Sequence, residues 1–196
     1  RDDVARFVSG APGLAGRLAA WASAGKTLFI VTNSEPDFAT AVLDTALGPG
    51  WMELFRVVIT AARKPAFFAP GARAWQDAPG TRARVVAGGS ARYAETVLGA
   101  AGHDVLFVGD NLKSDVRAAR AHGWQTVHVV PELDATPAAD ATGWGDALAD
   151  AGSPTWLAEL IRTHADVACA AVGDLLTLDP RGPIVPPTRR AAGETA

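Results

Sequence analysis

Four short apolar, β-branched runs constrain this chain more than any other feature: residues 27–32, 57–60, 105–108 and 126–130. Each is nearly continuous rather than alternating, and each is bounded by turn residues. That is the pattern of strands buried on both faces of a parallel sheet. Residues 84–87 form a weaker fifth run. Alanine-rich segments with helical spacing lie around and between them, at 14–24, 38–47, 91–101 and 116–122, with Gly102 and Gly123 standing as stops after the last two. Strand and helix alternate, which predicts an α/β fold, doubly wound around one mainly parallel sheet.

After Pro131 the character changes. Residues 134–152 are rich in Ala, Asp, Thr and Gly and read as a long loop. Residues 156–178 carry apolar side chains at helical spacing (Leu157, Leu160, Ile161, Val167, Val172, Leu175, Leu176) and predict a helical extension that packs on the core or on a second copy. From 181 to 196 Pro, Gly, Arg and Thr dominate, and a disordered tail is expected. The organisation is then a core over 1–133, a loop and helical extension over 134–180, and a tail over 181–196.

Charge and cysteine narrow the partners. The net charge is −3, which gives no reason to expect nucleic acid or an anionic membrane. A small molecule or a protein is the expected partner, with a homo-oligomer open. No apolar run approaches the roughly 18 residues of a membrane span. The one cysteine, Cys169, permits no intrachain disulfide and reads as apolar filler, so a cytoplasmic setting is expected. The chain opens on Arg1 and its only methionine is Met52, so a fragment of a longer protein is expected.

Chemistry in open α/β sheets belongs at the carboxyl ends of the strands, and three of those ends are loaded. The first run ends in Thr32-Asn33-Ser34, hydroxyl and amide groups beside the start of a helix, where backbone N–H groups cradle anions. Ser34 can equally cap that helix. Just after the second run stands Ala62-Arg63-Lys64-Pro65. The chain has only three lysines among its 18 basic residues, so a lysine at a strand end is pointed. A lysine meets a phosphate as a compact point charge, and Pro65 favours an extended Lys64. The alternative is a solvated loop lysine. The third end, Gly109-Asp110 followed by Asp115 as a helix begins, places two carboxylates where a hard cation such as Mg²⁺ would be held. An acid at the tip of a buried strand is costly unless paired or on a metal. Against this, Asp110 can cap a turn and Asp115 can favour a helix N-terminus.

Taken together, Thr32-Asn33-Ser34, Ala62-Arg63-Lys64-Pro65, Gly88-Gly89-Ser90 and Gly109-Asp110 with Asp115 resemble the second to fourth motifs of the haloacid-dehalogenase superfamily. Residues 62–68, 88–90 and Gly123-Trp124 leading to Val130-Pro131-Glu132-Leu133 are similar to its purine (IMP/GMP-preferring) 5′-nucleotidase branch. The resemblance implies a Rossmann-like core and a Mg²⁺-dependent phosphomonoester hydrolase. Thr32, Asn33 and Ser34 would bind phosphoryl oxygens, and Lys64 would neutralise the phosphoryl group and nucleophile. Asp110 would hold Mg²⁺. Asp115 would orient Lys64 or a metal-bound water, beside the metal.

The sequence departs from the family in one respect. The nucleophile and general acid belong to an Asp-x-Asp, and no Asp-x-Asp occurs in this chain. The nucleophile is expected upstream, on a strand central to the sheet, which leaves the sheet incomplete at the N-terminus and this chain without turnover. Two alternatives stay open: a phosphatase for another phosphorylated metabolite, and a non-catalytic binding or assembly module of the same fold. The histidines, His103, His122, His128 and His164, have no metal-ligand spacing and read as structural. The six tryptophans are scattered and read as packing residues.

Overall fold

A computed structural model describes residues 4–8, 10–78, 80, 84–133, 149–150 and 153–181. The chain divides into two compact units, Arg1–Asp104 and Val105–Ala196.

The first unit begins with α1 (Val4–Phe7) and α2 (Leu14–Ser23), followed by β1 (Phe29–Val31) and α3 (Pro36–Leu47). Then come β2 (Val57–Thr60), β3 (Trp75–Asp77), β4 (Val85–Gly88) and α4 (Ala91–Leu98). The sheet order is β1-β2-β4-β3. β1, β2 and β4 run parallel, with Val31 opposite Ile59 and Thr60 opposite Ala87, and β3 closes one edge antiparallel to β4. All four residues of β2 are buried, as its unbroken apolar run predicts for an interior parallel strand. Below the sheet, Trp51, Phe55, Val58, Ala78 and Val85 form a core cluster, lined by Leu18, Leu28, Ile30, Leu43 and Leu47. Trp51 combines near-complete burial with a 2.7 Å hydrogen bond from its Nε1 to Asp44 Oδ1, so its polar edge is satisfied.

The second unit contains β5 (Leu106–Gly109), a π-helical turn (Leu112–Arg117), α5 (Ala118–His122) and β6 (Gln125–Val129). A two-residue ladder of β7 (Ala149–Asp150) and β8 (Ser153–Pro154), α6 (Trp156–His164), β9 (Val167–Cys169) and α7 (Val172–Leu175) complete it. β5, β6 and β9 form a parallel sheet in that order. Phe107 and Trp124 pack at 5.8 Å between ring centroids in its core. Asp166 fastens the start of β9 to that of β6: its Oδ2 accepts from Thr126 N at 2.9 Å, and its Oδ1 pairs with Arg120 at 2.6 Å.

The α/β class holds, with parallel-dominated sheets and flanking helices. Two details differ from the sequence reading. The four main strands are shared between two hydrogen-bonded sheets rather than one, because no described strand pairs β1 with β5. The extension over 156–178 is not one helix: Val167-Ala168-Cys169 is a strand that covers the edge of β6. A three-residue apolar run fits either period, and tertiary pairing decided between them. The loop expected over 134–152 lies mostly outside the described residues, and the tail lies outside them beyond Arg181. Among the described residues, no helix is long and apolar enough to cross a membrane.

Candidate functional site

In the first unit, the loops after β1 and β2 are locked to each other. Thr32 N donates to Ile59 O at 2.8 Å, and Ala62 N returns to Thr32 O at 3.0 Å. Ala61 N donates to Ser34 O at 2.8 Å. The Asn33 side chain grips the backbone of Lys64 from both sides: its Oδ1 accepts from Lys64 N at 2.6 Å, and its Nδ2 donates to Lys64 O at 3.1 Å. Lys64 Nζ then donates to Val31 O at 3.1 Å, the last carbonyl of β1. The ammonium is therefore delivered to the carboxyl end of β1, beside Thr32 and Asn33. Thr32 Oγ1 accepts from Ser34 N at 3.1 Å, which leaves its own proton to donate elsewhere.

This loop is held in an uncommon backbone state. Ala61 (φ 45°) and Arg63 (φ 58°) are both left-handed without being glycine, and the Lys64–Pro65 peptide is cis. Left-handed non-glycine residues cluster where surrounding structure over-determines them, commonly at functional loops. Ser34 does not cap α3. Glu35 occupies that position without a side-chain bond, and Pro36 starts the helix.

Gly88-Gly89-Ser90 proves to be a junction. Ser90 is fully buried and caps α4, accepting from Tyr93 N at 3.4 Å and from Arg73 N at 2.9 Å. The Arg73 guanidinium donates to Ala66 O at 2.8 Å, just past Lys64-Pro65. Gly89 has φ 88°, and a Cβ there would lie 3.3 Å from Trp75 Cβ, so glycine admits β3 to the sheet edge.

In the second unit, Asp110 follows β5 and is exposed, not buried as the strand-tip argument supposed. The buried acid is Asp115, at 4% exposure. The π-helical turn swings it back over the strand end, with Val116 N bonded to Asn111 O at 3.2 Å. Asp115 Oδ2 accepts from Asn111 N at 3.3 Å, and Oδ1 from Ser114 Oγ at 3.3 Å. A Cβ on Gly109 would lie 2.6 Å from Asp115 Cβ, so the glycine makes room for the acid. Asn111, which the sequence reading passed over, caps the turn by accepting from Lys113 N and Ser114 N at 3.1 and 2.8 Å. An Asx residue directly before a helical start was the available signal.

These donors fit a hard cation in kind. They are carboxylate oxygens, one exposed and one buried, and Mg²⁺ binds through one or two carboxylates while keeping several waters. Among the described residues, no group of three or more metal-ligating side chains forms. Cys169 is half-buried on β9, and burial, then the nearby Asp174 carboxylate, push its thiol up, which disfavours the thiolate.

The parallel-dominated sheets with flanking helices in the two units define an α/β protein. The sequence model of the 5′ nucleotidase family matches residues 1–140, and the chain belongs to that family. It is similar to the human and rat proteins named 5′-nucleotidase domain-containing protein 2, with 32% identity over 123 residues in each case. The match covers 56% of this chain but 24% of the human and 22% of the rat protein, so it spans under a quarter of these relatives.

Proposed function

We propose that the protein to which this chain belongs is a haloacid-dehalogenase-type, Mg²⁺-dependent 5′-nucleotidase acting on purine nucleoside monophosphates. The observation that carries the reading is the placement of Lys64 Nζ at 3.1 Å from Val31 O, where the loop with Thr32 and Asn33 begins. In this reading the Thr32 hydroxyl and the Asn33 backbone N–H donate to phosphoryl oxygens. The Asn33 amide is occupied in aiming Lys64, and Ser34 N–H is occupied in turning Thr32 Oγ1. Lys64 offsets the charge of the phosphoryl group and the attacking carboxylate.

Asp110 would hold Mg²⁺, with Asp115 fixing the loop from beneath. When bound, the cation supplies Lewis-acid stabilisation of charge on the phosphoryl oxygens. The nucleophile is an aspartate outside this sequence. It attacks phosphorus, the nucleoside 5′-oxygen leaves and takes a proton, and water hydrolyses the resulting aspartyl-phosphate to inorganic phosphate. Among the described residues β1 is the terminal strand of its sheet, and in this reading the strand that carries that aspartate would lie beside it.

The test is phosphate release by the full-length protein across IMP, GMP, pyrimidine nucleotides and sugar phosphates, with and without Mg²⁺. Lys64→Ala should lower kcat by about 10²–10³-fold, the range for losing one preorganised charge-stabilising group. Asp110→Asn should remove the Mg²⁺ dependence together with the activity. Undiminished turnover in either variant contradicts the site, and preference for a non-nucleotide ester contradicts the substrate class.

A further inference from the structure

The peptide joining Asp110 to Asn111 is gripped at both ends by side chains. Its N–H donates to Asp115 Oδ2 at 3.3 Å, and its carbonyl oxygen lies 3.1 Å from His128 Nε2. His128 stands on β6 opposite Gly109, the last residue of β5, and its ring reaches one residue further along the chain. The side chain is 5% exposed, and Nδ1 is buried with no hydrogen-bond partner among the described residues.

That arrangement favours one tautomer. With the proton on Nδ1, a buried donor would lack an acceptor, and the Nε2 lone pair would face the lone pairs of the carbonyl. With the proton on Nε2, the ring donates to Asp110 O, and only an acceptor site is left unmet. The contact matters because the Asp110 carboxylate itself makes no hydrogen bond or ion pair with any described residue. The backbone that carries it sets the direction of the Asp110 Cα–Cβ bond, and with it the positions that the carboxylate can reach.

We propose that His128, as the Nε2–H tautomer, is a positioning residue for Asp110: it fixes the plane of the 110–111 peptide and so the direction in which Asp110 presents its carboxylate. Asp115 holds the same plane from the N–H side, and Gly109 makes that approach possible. The consequence for cation binding rests on the reading of Asp110 as a Mg²⁺ ligand, whereas the clamp does not. No local spacing in the motif includes His128, which lies 18 residues from Asp110.

The experiment uses the 196-residue chain. Long-range ¹H–¹⁵N NMR of the metal-free protein should find the His128 proton on Nε2, and a proton on Nδ1 overturns the proposal. Mn²⁺ affinity, read by electron paramagnetic resonance, should weaken about tenfold in His128→Leu, as for other residues that orient a metal ligand, and return to within about threefold in His128→Gln, whose amide can donate near the Nε2 position. A folded His128→Leu that binds Mn²⁺ like the wild type overturns it. If His128→Leu does not fold, the wild-type tautomer and His128→Gln decide. If wild type and Asp110→Asn bind Mn²⁺ alike, the metal reading of Asp110 fails by itself. The Asn111 amide resonance then decides the clamp: it should move in the His128 variants, and an unmoved resonance counts against the proposal.

Discussion

The loop after β2 and the loop after β5 each aim one charged group, and they are built in opposite ways. The first is held from a distance. Asn33 reaches across 31 residues to grip Lys64, and two non-glycine residues are kept left-handed in the process. The second is held largely from within. Asn111, Ser114 and Asp115 bond to one another inside a five-residue stretch, over a glycine that makes room for them. No non-glycine residue among 109–115 is left-handed. A loop held from a distance fails when its partner is lost, whereas a locally closed loop fails when its own packing is disturbed.

Gly109→Ala should have the largest effect. The added methyl would meet the Cβ and carboxylate of buried Asp115, and the π-helical turn would have to move. Overpacking of this kind costs about 3 kcal/mol at its upper range. Urea unfolding measures it, and a loss too small to detect would show that the turn is pliable. Asn33→Ala comes next, at about 2 kcal/mol for two hydrogen bonds of ordinary net worth. Hydrogen exchange should quicken at Lys64 N–H; if it does not, the cross-strand clasp is not what holds the loop.

Asn111→Ala should cost about 1 kcal/mol, the usual loss for an N-cap. Its exchange changes should stay within residues 111–116, whereas those of Asn33→Ala should spread from β1 to residues 61–65. Arg63→Gly has the smallest effect and the opposite sign. Relief of a left-handed arginine, less the entropy that glycine adds to the unfolded chain, should raise stability by about 0.5 kcal/mol. A loss instead would mean that the Arg63 side chain makes a stabilising contact.

The same contrast explains what could be read in the sequence. Continuous apolar runs are a one-dimensional signal, so β1, β2, β4, β5 and β6 were legible near their true positions. β3, with the sequence Trp-Gln-Asp, was not. It is a polar edge strand that exists because Gly89 lets it approach and Ser90 fastens Arg73 beside it. Thr32 and Asp110 directly follow β1 and β5, and Lys64 lies four residues past the end of β2, so their places at strand ends were legible from the apolar runs. The clasp of Asn33 on Lys64 was not, since it depends on the register of β1 against β2. Ala61 and Arg63 gave no hint of left-handed geometry, because such residues rarely adopt it. Asp110 and Asp115 were legible as a pair, but which one is buried follows from the π-helical turn.

The proposed function implies a division of labour: this chain would supply the groups that hold phosphate and cation, and the nucleophile would come from elsewhere. Phosphate release from IMP with Mg²⁺, measured side by side on the 196-residue chain, its Asp110→Asn variant and the full-length protein, tests that division most directly. The account predicts turnover by the full-length protein and none above the buffer blank by either form of the isolated chain. Turnover by the isolated chain that Asp110→Asn abolishes would place a nucleophile within these residues and contradict it.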